Sequence, residues 1–198
     1  TVPMTEEHPT EPTTVYGASK LVGEHYTKAF TNTYRLNTII VRPFNTYGPR
    51  EHFEGPYGEV IPKFSIRIKN GKSPLIFGSG NQTRDFIYVS DTVAGMILAA
   101  NSEKLNSGEA INIARGEEVS VNNLAKYILE SLNSYLNPEY HPPRTADVLR
   151  HYADISKARK ILNFQPKIDI KAGIRLYLDW LGKQNIDFSK EMEINWIK

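Results

Sequence analysis

The chain has 198 residues and carries 24 Lys and Arg against 22 Asp and Glu, a formal charge of +2, with 40% hydrophobic and 11% aromatic residues. That make-up excludes disorder as the main description and, at about 100–200 residues per domain, allows one core or a core and a half. Absence of cysteine excludes disulfides, thiolate metal sites and cysteine nucleophiles, the apolar runs stop far short of the roughly 18 residues of a membrane span, and a near-neutral charge without basic clusters speaks against nucleic acid.

The N-terminus, TVPMTEEHPTEP, is acidic and Pro-rich. It resembles neither a signal nor a transit peptide, and with the lack of cysteine it predicts a cytoplasmic protein that opens on an extended loop. Residues 14–34 place Ala18, Leu21, Val22, His25, Tyr26, Ala29 and Phe30 at helical spacings, so one amphipathic helix is expected there. The β-branched run 38–42 (TIIVR) has the pattern of a strand buried on both faces of a parallel sheet. A Gly- and Pro-rich loop over 45–58 is long enough to suggest function. A second helix is expected over 61–69, closed by Asn70-Gly71, then a strand over 74–77, a turn over 78–80 and a strand over 84–89. Asp91 is the expected N-cap of a helix running to Ala100, because its carboxylate can accept the unpaired amides of the first turn. A buried strand over 110–114 follows. Ser120 is the expected cap of a helix with one apolar stripe: Val121, Leu124, Ala125, Ile128, Leu129 and Leu132. Two further helices are read over 155–162 behind Asp154 and over 170–181 behind Asp169. Residues 184–198 show no period, and Trp196 and Ile197 suggest that this tail docks. The fold class is therefore mixed α/β.

The most informative short segment is Tyr16-Gly17-Ala18-Ser19-Lys20. A tyrosine and a lysine four apart lie one above the other on a helix, so their heads can share a site. An ammonium beside a phenol favours the phenolate, and such a pair can exchange a proton with a sugar hydroxyl or carbonyl. The plain alternative is a tyrosine ring packed in the core and a lysine reaching to water.

With its neighbours, this segment resembles the extended short-chain dehydrogenase/reductase family, specifically its NAD-dependent nucleotide-sugar epimerases and dehydratases. The motifs that carry the resemblance occur in one order: Tyr16 and Lys20 as YxxxK, RPFNTYGP over 42–49, EVIP over 59–62, LIFG over 75–78, QTRDFIYVSD over 82–91, Asn112-Ile113, Ser120-Val121, and RTAD over 144–147. The resemblance covers residues 3–181. It implies that Tyr16 is the catalytic acid/base and that Lys20 holds the nicotinamide ribose, with Pro43 and Phe44 beside the nicotinamide of NAD. Asn45, Arg84 and Arg144 would bind the sugar diphosphate, since planar forked donors suit phosphate oxygens. Asp147 would accept bonds from the ribose hydroxyls, and Val60, Ile61, Leu75 and Phe77 would frame the base. For Val60, Ile61, Leu75 and Phe77, ordinary core packing is nearly as good a reading, and Asp85 reads as a structural partner. The five histidines show no paired metal-ligand spacing.

Two family features are absent: a GxxGxxG turn after an N-terminal strand, and the catalytic Ser or Thr upstream of the YxxxK helix. The resemblance thus implies the C-terminal part of such an enzyme. Residues 1–58 would be the remainder of a Rossmann-type domain and 59–183 mainly a nucleotide-sugar binding domain, with 84–100 returning to the Rossmann part and 184–198 a tail. The implied function is epimerisation through a transient 4-keto sugar, with 4,6-dehydratase and decarboxylase as alternatives within the family and a non-catalytic nucleotide-sugar binding module as the alternative outside it. The implied partners are a nucleotide-diphosphate sugar and a second copy, as a homodimer.

Overall fold

The computed structural model describes residues 1–54, 58–144 and 148–185. Asp147, the neighbouring Thr145 and Ala146, and the tail residues Trp196 and Ile197 lie outside the described residues. In chain order the elements are α1 (Val15–Tyr34), β1 (Ile39–Pro43), β2 (Thr46–Tyr47), α2 (Val60–Lys69), β3 (Leu75–Phe77), β4 (Thr83–Arg84), β5 (Ile87–Tyr88), α3 (Val89–Ala100), β6 (Glu109–Ile113), β7 (Val119–Ser120), α4 (Val121–Ser131), β8 (Glu139–His141), β9 (Arg150–His151), α5 (Ser156–Leu162) and α6 (Ile170–Gly182). They form two compact units. The first comprises Thr1–Thr46, Asp85–Glu118 and Arg150–Lys167, the second Tyr47–Arg84, Val119–Leu149 and the described residues from Ile168 on.

In the first unit, β1 and β6 pair in parallel with Ile39 opposite Glu109 and Pro43 opposite Ile113. Helices α3 and α5 pack on β6, and Ile87, Ala99, Ile111, Ile113, Leu162 and Phe164 form the core between them. The parallel pairing matches the expectation from TIIVR, but only Ile40 of β1 is buried, so the strand is not covered on both faces.

Helix α1 forms over the expected span. Thr14 caps it, its hydroxyl accepting the Gly17 amide at 3.1 Å. Its apolar stripe is nevertheless not core: no α1 residue is buried, and Val22, Tyr26 and Phe30 are exposed. The half-buried side carries Leu21, Glu24, Thr27 and Thr31 instead. Polar anchoring explains the orientation. Arg42 of β1 donates two hydrogen bonds of 2.7 Å to the Glu24 carboxylate, and the hydroxyls of Thr31 and Thr38 are hydrogen-bonded to each other. These groups turn that side of the helix towards β1.

Two other expectations are corrected. The strand expected over 84–89 is broken into β4 and β5, because Asp85 and Phe86 between them are buried and the Asp85 side chain is engaged by backbone amides. Asp91 does not cap α3, which begins at Val89 with Tyr88 as its N-cap. The buried Asp91 carboxylate accepts the Lys167 amide at 2.8 Å instead.

The second unit joins three helices to short strands. β3 pairs with β8 in parallel, and β4 pairs with β7 in antiparallel fashion. Ile61, Phe64 and Ile68 of α2, Leu124 and Ile128 of α4, and Ile174 and Tyr177 of α6 are buried. The expected caps are present: Ser120 accepts the Asn123 amide at 3.1 Å and Asp169 the Ala172 amide at 2.8 Å. Gly71, at φ 71°, leaves α2 in the left-handed region as the Asn-Gly signal predicts. β2, β7, β8 and β9 were not foreseen, since two or three residues are too few to display a period of two.

Candidate active site

In the first unit, Tyr16 stands in the first turn of α1 and Lys20 one turn later. The Lys20 ammonium lies 5.1 Å from the centroid of the Tyr16 ring. Tyr16 is 72% exposed, so the alternative in which its ring fills the core does not hold in this chain. The turn that carries the pair is fixed by the Thr14 cap and by the Ser19 hydroxyl, which donates to the Tyr16 carbonyl at 2.7 Å.

The carboxyl end of β1 brings up the next three residues. Pro43 is exposed there. Phe44 is buried, donates its amide to the Ile113 carbonyl at 3.1 Å and stacks on His151 with ring centroids 4.8 Å apart. Asn45 donates its side-chain amide to the Asp85 carbonyl at 2.8 Å. Asp85 in turn accepts the amides of Arg115 at 3.0 Å, Gly116 at 2.9 Å and Ala153 at 3.2 Å. Burial outweighs these bonds and pushes its carboxyl up to about 6. Asp85 thus supports Asn45 by tying three loops together, the structural role read for it. Sequence reasoning missed the supports Glu24 and Glu6: Glu24 holds Arg42, and the Glu6 carbonyl accepts from the same guanidinium at 2.8 Å. A signal was present, since an arginine inside an apolar strand needs a buried partner.

In the second unit, the segment 77–84 is laced to His141 and Leu149. The Gly78 amide donates to the His141 carbonyl at 2.9 Å, and the Thr83 amide to the Leu149 carbonyl at 2.8 Å. This lacing collects three of the expected residues. The Arg144 guanidinium carbon lies 4.4 Å from the centroid of the Phe77 ring, and His141 tilts on the same ring at 5.5 Å. Arg84 donates to the carbonyls of Thr83 at 2.8 Å and Val148 at 2.6 Å, which fixes its guanidinium on the same segment. Val60 is half-buried at the start of α2, whereas the side chains of Ile61 and Leu75 are buried in the core, so only their main chain is offered to a ligand. Asp147 falls outside the described residues. Among the described residues no group of three or more His, Cys, Asp and Glu is placed to hold a metal ion, and no helix is long and apolar enough to cross a membrane.

Comparison with known proteins identifies the family. The model of the GDP-mannose 4,6 dehydratase family matches residues 1–177. A putative UDP-glucose 4-epimerase of Methanocaldococcus jannaschii is 39% identical over 184 residues, covering 93% of this chain and 58% of that protein. An epimerase structure from Methanothermobacter thermautotrophicus superposes with a TM-score of 0.88 at 32% identity, over 92% of this chain and 55% of that one. A UDP-glucuronic acid 4-epimerase of Bacillus cereus, solved with UDP-glucuronic acid and NAD, superposes with a TM-score of 0.80 at 28% identity, over 87% and 54% of the two chains. The chain spans a little over half the length of these relatives. It belongs to the GDP-mannose 4,6 dehydratase family, whose members are NAD-dependent nucleotide-sugar epimerases and dehydratases.

Proposed function

We propose that the chain carries the acid/base and substrate-binding part of an NAD-dependent nucleotide-sugar 4-epimerase. The observation that carries the reading is the exposed phenol of Tyr16 beside the ammonium of Lys20, held on one helix face. This donor set fits the nicotinamide riboside end of NAD: an ammonium only donates, and the vicinal ribose hydroxyls accept. Tyr16 takes the proton of the sugar C4 hydroxyl and later gives it back, while Lys20 orients the ribose. Bound NAD supplies the two-electron acceptor that makes C4 a ketone and then returns the electrons. Inversion follows when the ketone turns before its reduction.

Substrate recognition falls to the second unit in this reading. Arg84 and Arg144 meet the diphosphate, and Phe77 offers the base a ring face. A 4,6-dehydratase is the second reading, favoured by the match of residues 1–177 to the GDP-mannose 4,6 dehydratase family. Calorimetric titration with UDP, dTDP and GDP tests the binding half. One of them should bind, and Arg84→Ala should weaken that binding about tenfold or more. In a preparation that turns over a UDP-hexose, Tyr16→Phe should lower turnover by roughly 10²–10⁴-fold with the fold intact, and near-normal turnover would refute the assignment.

A further inference from the structure

Helix α4 and the segment 134–140 that runs back along it enclose a groove of about 510 Å³, a size typical of small-ligand sites. None of the expected site residues lines it. Strand β8 separates the two places, because successive strand side chains point to opposite faces. His141 faces Phe77, and Tyr140, one residue earlier, lines the groove.

One wall of the groove is preformed. The Tyr140 hydroxyl donates to Asn122 Oδ1 at 3.0 Å, and Asn122 Nδ2 donates to the Ser79 carbonyl at 3.0 Å and to Asn81 Oδ1 at 3.2 Å. The Asn122 amide also occupies the space that a Cβ on Gly80 would need, and Gly80, at φ 74°, supplies the turn that makes this possible. Tyr140 is thereby fixed although 56% exposed, and Tyr135 on the same groove is 99% exposed. Asn133, Asn137 and Ser134 also line the groove, together with the buried Leu129. The charges on the rim cancel: Lys126 and Glu130 form an ion pair at 3.8 Å.

This chemistry selects a ligand class. A phosphate group would want a forked guanidinium, and no arginine lines the groove. A charged peptide would find no net charge to oppose. Side-chain amides present a donor and an acceptor together, which matches the paired hydroxyls of a sugar ring, and stiff tyrosine rings cover its C–H face at small entropic cost. We propose that the groove between α4 and residues 134–140 is a binding site for a neutral pyranoside, separate from any nucleotide site and independent of the epimerase reading.

The test is an NMR titration of the ¹⁵N-labelled chain with a neutral trisaccharide, maltotriose or triacetylchitotriose. Side-chain amide signals of Asn122, Asn133 and Asn137 should move with a Kd of roughly 1 mM, whether or not saturating UDP is present. Tyr135→Ala removes a ring that packs on nothing in the free protein, so the fold should persist while affinity falls about tenfold or more. Tyr140→Phe keeps the ring, releases Asn122 and should weaken binding a few-fold. The proposal is overturned if no signal moves at roughly 10 mM sugar, if Tyr135→Ala binds as well as the parent, or if UDP abolishes the shifts. Groove signals that shift with protein concentration in the absence of sugar would assign the surface to a second copy and equally overturn it.

Discussion

The hydroxyl of Tyr47 sits where a Cβ on Gly173 would have to go. Both residues belong to the second unit, where α6 passes close to the start of the loop that follows β2. Any side chain at position 173 must push the phenol or the helix aside. Gly173→Ala should therefore destabilise the unit by about 1–3 kcal/mol in urea denaturation, despite the better helix propensity of alanine. In a Tyr47→Phe background the cost should shrink but not vanish, because the ring carbons are also close. Equal costs in both backgrounds would contradict the geometry.

Glu24 and Arg42 supply a second test. The Arg42 hydrogen bond, outweighing burial, lowers the Glu24 carboxyl below its ordinary 4.5. A depressed carboxylate contributes stability that is present above 4.5 and is lost as pH falls through the lower folded value. Glu24→Gln should cost about 1–3 kcal/mol at neutral pH and flatten the acid limb of the stability curve, measured by denaturation at several pH values. Unchanged acid sensitivity would show that the pair does not act in this way.

Glu51 predicts the opposite slope. Burial pushes its carboxyl up to about 8, against the bond it accepts from the Gly48 amide at 3.3 Å, with Glu59 adding like charge. The folded state therefore holds a proton that the unfolded chain releases at ordinary carboxylate values. The resulting stabilisation is full below 4.5 and is lost as pH rises through about 8. Glu51→Gln keeps a neutral side chain that still accepts the Gly48 amide, so it should be nearly silent at low pH and stabilising at alkaline pH. A parent protein with no stability loss through this range would rule the assignment out.

Arg144 over the Phe77 ring makes a quantitative prediction for nucleotide binding. Phe77→Leu and Arg144→Ala should each weaken the binding of the preferred nucleotide diphosphate. The double variant should lose less than the sum, with a coupling of about 0.5–1 kcal/mol by calorimetry. Strict additivity would mean that the two do not act as one surface.

Much of the candidate site was legible in the sequence because it depends on local geometry. Tyr16 and Lys20 meet wherever residues 14–34 are helical, and the side chains at the end of β1 follow from a strand that stops at a proline. The gathering of Phe77 and Arg144 was implied only by resemblance. Its physical basis is the lacing of 77–84 to His141 and Leu149, a pairing of backbone groups about 65 residues apart in sequence that no local pattern displays.

What the sequence determined by itself was the set of elements with strong local signals: the helix over residues 14–34, α4 behind Ser120, α6 behind Asp169, and the parallel character of β1. Periodicity and capping are properties of neighbouring residues, so they survive without knowledge of the fold. Only the tertiary structure decided which face of α1 turns inward: that face carries Glu24, held by Arg42, and not the apolar stripe that the spacing advertises. It likewise took Asp91 from cap to anchor and broke the strand at Asp85, in both cases because a distant backbone amide needed a buried acceptor.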